Sequence, residues 1–98
     1  MIERIYSLLG IARRAGKITS GESQVEAMLK KHKGRLLVLA EDAPGTHKKY
    51  SQWAKDLNIP VLILGNKLDL GIAIGLSQRS TVLVMDEGFA KAILKVRS

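Results

Sequence analysis

Leu36-Leu37-Val38-Leu39-Ala40 is an unbroken apolar run of strand length, entered through Gly34-Arg35 and left through Glu41-Asp42. A strand with one wet face alternates apolar and polar residues, whereas a run without alternation suits a strand covered on both faces. Val61-Leu62-Ile63-Leu64 and Thr81-Val82-Leu83-Val84-Met85 have the same character and read as two more buried strands. Between them the apolar period is helical. Tyr50, Trp53, Ala54 and Leu57 stand at i, i+3, i+4 and i+7, closed by Asn58 and Pro60. Asp42 is expected at the N-cap of that helix, with Glu41 turned to solvent. Asn66 is placed to cap a short helix carrying Leu70, Ala73 and Ile74 inward, and Asp86 a last one with Phe89, Ile93 and Val96 on one face.

Toward the N-terminus, Ile2, Ile5, Leu9 and Ala12 make an amphipathic helix that Gly16 stops. Lys17-Ile18-Thr19 reads as a short edge strand. Thr19 and Glu22 have capping-box spacing before a helix with Val25, Met28 and Leu29 inward and a Glu26–Lys30 pair outward, ended by Gly34. Helices alternating with buried strands predict the α/β class. The expected architecture is a three-layer α/β/α sandwich, with a central mixed sheet of about four strands and helices on both faces. No linker, repeat or shift in composition divides the chain, so residues 1–98 are expected to be a single domain.

Sixteen Lys and Arg against nine Asp and Glu give a net charge of +7, whose simplest use is attraction to a polyanion. With no cysteine there is no disulfide, thiolate metal site or Cys nucleophile. Met1-Ile2-Glu3-Arg4 opens no signal peptide, and no apolar run approaches the ~20 residues of a membrane span, so the expected compartment is the cytoplasm. His32 and His47 lie among lysines and read as solvated surface residues. No catalytic residue, metal or cofactor is expected.

Three fragments imitate a GTPase. Asn66-Lys67-Leu68-Asp69 matches the Asn-Lys-x-Asp that reads guanine, Asp42-Ala43-Pro44-Gly45 the Asp-x-x-Gly at the γ-phosphate, and Gly10 to Lys17 a phosphate loop. The loop fails: five residues separate Gly10 from Gly16-Lys17 where four are required, and Ile18 stands in place of the magnesium-binding Ser or Thr. The residues before Gly10 are helical, where a strand is needed.

The fragments that suit RNA are two glycine-containing turns. Thr19-Ser20-Gly21-Glu22-Ser23-Gln24 opens the second helix, whose N-terminal N–H groups favour phosphate. Gly21 admits a close approach, Ser23 and Gln24 offer donors and acceptors to base edges, and Arg13, Arg14 and Lys17 stand ready for flanking phosphates. Leu70-Gly71-Ile72-Ala73-Ile74-Gly75-Leu76 leads through Ser77-Gln78-Arg79 into the last strand.

This arrangement resembles the kink-turn RNA-binding family typified by the archaeal large-subunit ribosomal protein L-seven-Ae and its L-thirty-e relatives. The residues carrying the resemblance are Ser20-Gly21 with Gln24, the strand Leu36 to Ala40 running into Glu41-Asp42-Ala43, Ile59-Pro60-Val61, and Leu70-Gly71-x-Ala73-x-Gly75. Leu9-Gly10-Ile11-Ala12-Arg13-Arg14-Ala15-Gly16-Lys17 looks most like the small bacterial YlxQ-type branch. The resemblance implies a non-catalytic protein that binds a helix–bulge–helix RNA bent at tandem sheared G·A pairs. By position, Gly21, Ser23 and Gln24 would read the G·A pairs, while Leu76, Ser77, Gln78, Arg79 and Thr81 would belong to the loop over the bulge. The implied partner is a structured RNA, ribosomal RNA among the candidates, with ribosome association, no membrane and a monomeric state. Three features depart from the family pattern: Ala27, where Lys is common, Ser23, where Asn or Lys is common, and the polar, basic loop Ser77-Gln78-Arg79-Ser80, where more apolar residues are expected. With Glu26 beside Ala27, they keep open an alternative, a protein-interaction module on the same fold that has lost kink-turn recognition.

Overall fold

The computed structural model describes residues 1–97. Its elements are α1 (Ile2–Arg14), β1 (Ile18–Ser20), α2 (Glu22–Lys30), β2 (Leu36–Leu39), α3 (Pro44–Asp56), β3 (Val61–Ile63), α4 (Lys67–Ala73), β4 (Thr81–Val84) and α5 (Glu87–Arg97). The strands form one sheet in the order β1-β4-β2-β3. β2 and β3 are parallel, with Val38 opposite Leu62. β4 runs antiparallel to both its neighbours, its Val82 facing Val38 on one side and Ser20 on the other.

The unbroken apolar run of β2 serves two cores at once. Leu36, Val38 and Ala40 join Val82 and Val84 beneath Ile5 and Leu9 of α1, Leu70 and Ile74 of α4 and Ile93 of α5. Leu37 and Leu39 join Leu83 on the other face, under Val25 and Leu29 of α2 and Tyr50 and Ala54 of α3. Side chains alternate across a strand, so apolar residues at every position are what a doubly covered strand requires. The three-layer mixed architecture is as the sequence predicts. The third run differs: β3 is an edge strand, and Ile63 is 43% exposed because cover is incomplete beyond the last strand. No helix among the described residues is long and apolar enough to cross a membrane.

Strand directions sort the loops into two ends. At one end β1 and β2 finish and β4 begins: the Gly21 N–H donates to Thr81 O (3.2 Å), that of Ala40 to Ser80 O (3.0 Å), and that of Glu41 to Gly65 O (2.9 Å). At the other, the N–H of Met85 donates to Lys17 O (2.8 Å), that of Arg35 to Val84 O (2.8 Å), and that of Leu37 to Pro60 O (3.0 Å).

Candidate nucleic-acid interface

The start of α2 stands at the first of these ends. Gly21 is its N-cap with φ +87°, a left-handed conformation, and a Cβ there would project into open space. The expected capping box does not form, since no side chain caps this helix. Glu22 instead receives the Tyr50 hydroxyl at 3.3 Å, drawn toward α3 by a partner far along the chain. The first-turn N–H groups and the positive end of the helix are therefore left toward solvent, beside the exposed side chains of Ser23 and Gln24.

The segment after α4 folds back on its own helix. Leu76 N–H donates to Gly71 O at 2.9 Å, and Gly75 takes φ +74°. A Cβ on Gly71 would overlap the Ser77 carbonyl, which explains the glycine in Leu70-Gly71-x-Ala73-x-Gly75. Leu76 packs partly buried against the core, leaving Ser77 and Gln78 exposed at the tip. Arg79 ties this loop down: Nη1 donates to Ser77 Oγ (3.0 Å) and Gln78 O (2.9 Å), and Nε to Ser20 Oγ (3.3 Å). Its guanidinium is thus spent on positioning the loop against the start of α2. Thr81 requires a correction. Its side chain is fully buried within β4, its hydroxyl has no partner, and it meets the site only through the backbone bond to Gly21.

Arg13 and Arg14 are exposed in the last turn of α1. The Arg13 guanidinium lies against Gly75, and that of Arg14 beside Gly10, where α1 touches the Ala73 carbonyl. Both flank the exit of α4. Lys17 lies elsewhere. It precedes β1 at the opposite end of the sheet, about 13 Å of extended strand from Gly21.

Glu26 is turned away from this surface. Its carboxylate accepts from the Tyr50 hydroxyl and from Lys49 Nζ (3.1 Å), in place of the expected pair with Lys30. Those two partners, the hydroxyl first, hold it below the usual carboxylate range. Burial first, then the Glu26 hydrogen bond, pushes the Tyr50 phenol well above its ordinary value.

The GTPase-like fragments brace loops. Asn66 Oδ1 accepts the Asp69 N–H (2.8 Å) and caps α4, while Asp42 Oδ1 accepts the Lys67 N–H (2.9 Å). Asp42 therefore serves α4, and the N-cap of α3 is Ala43. Glu41 accepts the Gly65 N–H at 3.0 Å instead of facing water unpaired. His47, which the sequence suggested was solvated, is half-buried with Nε2 2.7 Å from Ala40 O. No cluster of His, Cys, Asp and Glu among the described residues could hold a metal.

Residues 3–94 match the model of the Ribosomal protein L7Ae/L30e/S12e/Gadd45 family. The chain belongs to this family. It is 34% identical over 92 residues to the RNA-binding protein YlxQ of Bacillus subtilis (strain 168), covering 93% of this chain and 92% of that one. It is 26% identical to the large ribosomal subunit protein eL8 of Thermoplasma volcanium, over 95% of this chain and 78% of the relative. A solved protein of unknown function from Bacillus halodurans superposes with a TM-score of 0.89 at 35% identity, covering 94% of each chain. The Giardia lamblia 15.5kD RNA binding protein shares the fold, with a TM-score of 0.80 at 20% identity over 94% of this chain and 83% of that one. A member of this family of RNA-binding and ribosomal proteins is a binding protein and not an enzyme.

Proposed function

We propose that this L7Ae-family protein binds structured RNA and that the element it reads is a kink-turn. One observation carries the reading: two segments 59 residues apart, the start of α2 and the loop after α4, are joined into one surface by Arg79 and Ser20. Each supplies half of what a bent, bulged RNA presents. The uncapped helix start with Gly21, Ser23 and Gln24 offers N–H and amide groups to base edges in a groove. The loop of Leu76, Ser77 and Gln78 lies beside it to cover extruded nucleotides. Arg13 and Arg14 stand on the flank for the phosphates, and Arg79 and Thr81 act from within by holding the two halves together.

The ionised Glu26 weighs less against phosphate than its sequence position suggests, because Lys49 neutralises it on the α3 side. The eL8 relatives, named as large-subunit ribosomal proteins, support ribosomal RNA as the natural target. Gly21→Glu combined with Arg14→Ala tests the site: RNA affinity should fall at least tenfold, and unchanged affinity would remove this surface from consideration.

A further inference from the structure

The turn between α2 and β2 reads Lys30-Lys31-His32-Lys33-Gly34-Arg35, four cations in six residues. It lies at the end of the sheet away from Gly21, next to the Arg35 N–H bond to Val84 O at 2.8 Å. Lys30, Lys31, Lys33 and Arg35 are all exposed, and among the described residues none of them forms an ion pair. Such a run repels itself, so a neutral solubilising surface would intersperse acids. Lys17 stands at the same end of the sheet, also exposed.

The run is also held rigid. Gly34 is buried so tightly that a Cβ would come 2.6 Å from the Leu83 side chain and 3.2 Å from Ile59, pinning the turn to the core. His32 follows the C-cap of α2 with φ +57°, closing it by donating to Leu29 O at 3.0 Å while Lys33 N–H donates to Met28 O at 3.1 Å. Glycine is the usual residue at that position, because a side chain in the left-handed region is strained. The only other non-glycine residue with positive φ among those described, Asn58, is at the same end, lining one cleft with Gly34 and Arg35. A pinned row of exposed cations outside any ion pair is preorganised for a row of phosphates.

We propose that this end is a second RNA contact, a phosphate-backbone site formed by Lys30, Lys31, Lys33 and Arg35 with Lys17. The two contacts lie at opposite ends of the sheet and would engage separate segments of a folded RNA. A membrane surface fits less well, because the run interleaves no apolar anchor.

The test is a titration of wild-type protein and of Lys31→Glu/Lys33→Glu with three probes: a plain RNA duplex, a kink-turn RNA, and that RNA with disrupted G·A pairs, at several salt concentrations. The wild type is expected to bind the plain duplex. The double variant should lose on the order of tenfold in duplex affinity and about two units of the slope of log affinity against log salt. Its preference for the intact over the disrupted kink-turn should stay unchanged. Lys31→Gln/Lys33→Gln, with no charge reversal to disturb folding, should show the same direction. Unchanged duplex binding overturns the proposal, as does a loss confined to the intact kink-turn. Binding to vesicles containing phosphatidylglycerol, without duplex binding, overturns it in favour of a membrane. The proposal is independent of kink-turn reading: if the wild type ignores the G·A pairs while duplex affinity still depends on Lys31 and Lys33, only that reading falls.

Discussion

The guanidinium of Arg79 donates to the hydroxyl of Ser20 at 3.3 Å, across the junction between β1 and the loop entering β4. Arg79 also receives structure from behind, its N–H donating to Lys67 O at 3.1 Å. Arg79, which the resemblance places in the loop over the bulge, braces that loop against Ser20.

Arg79→Ala should therefore weaken kink-turn binding more than it weakens the fold. Hydrogen bonds of this kind contribute about 0.5–1.5 kcal/mol each, so denaturation should show a modest loss while RNA affinity falls about tenfold. Arg79→Lys should not restore binding, since one ammonium cannot span Ser20, Ser77 and Gln78 as a planar fork does.

Gly71→Ala should be the more damaging glycine substitution, because its Cβ meets the Ser77 carbonyl, whereas one on Gly21 meets nothing. Overpacking costs about 1–3 kcal/mol, with displacement of the 75–79 loop. Gly21→Ala bears only backbone strain, about 1 kcal/mol. Urea denaturation of the two variants gives the order directly.

Thr81→Val should stabilise the protein by about 1 kcal/mol, because the buried hydroxyl has no partner and valine has the same shape. RNA affinity should not change. A loss of affinity would return Thr81 to the binding surface.

Glu26 sets an acid dependence. Its carboxyl is held below the usual value of 4.5 in the folded chain, so its contribution is present above about that pH and is lost as pH falls through the lowered folded value. Glu26→Gln should be less stable than wild type at neutral pH, and the two stability curves should converge on acidification. Thermal melts from neutral to pH 3 check the convergence.

Much of this was legible in the sequence. The unbroken run Leu36 to Ala40 could only be a strand covered twice, and Gly16 and Asn58 end helices with positive φ as their residue types suggest. What the sequence concealed is which side chains meet across the fold. Thr19 and Glu22 have capping spacing, yet Glu22 is claimed by Tyr50. Asp42 precedes α3 but caps α4. Lys17 is four residues from Gly21 along the chain, and an extended strand turns that nearness into separation. For Glu22 and Asp42 a long-range partner that no periodicity reveals replaces the local rule.

The most direct measurement is a titration of the purified protein with a kink-turn RNA and with the same RNA carrying disrupted G·A pairs, at near-physiological salt. Binding at least tenfold tighter to the intact RNA is expected, achieved by Gly21, Ser23 and Gln24 without a lysine at Ala27. Equal, salt-sensitive binding to both RNAs would contradict it and leave only the basic surfaces as the source of affinity.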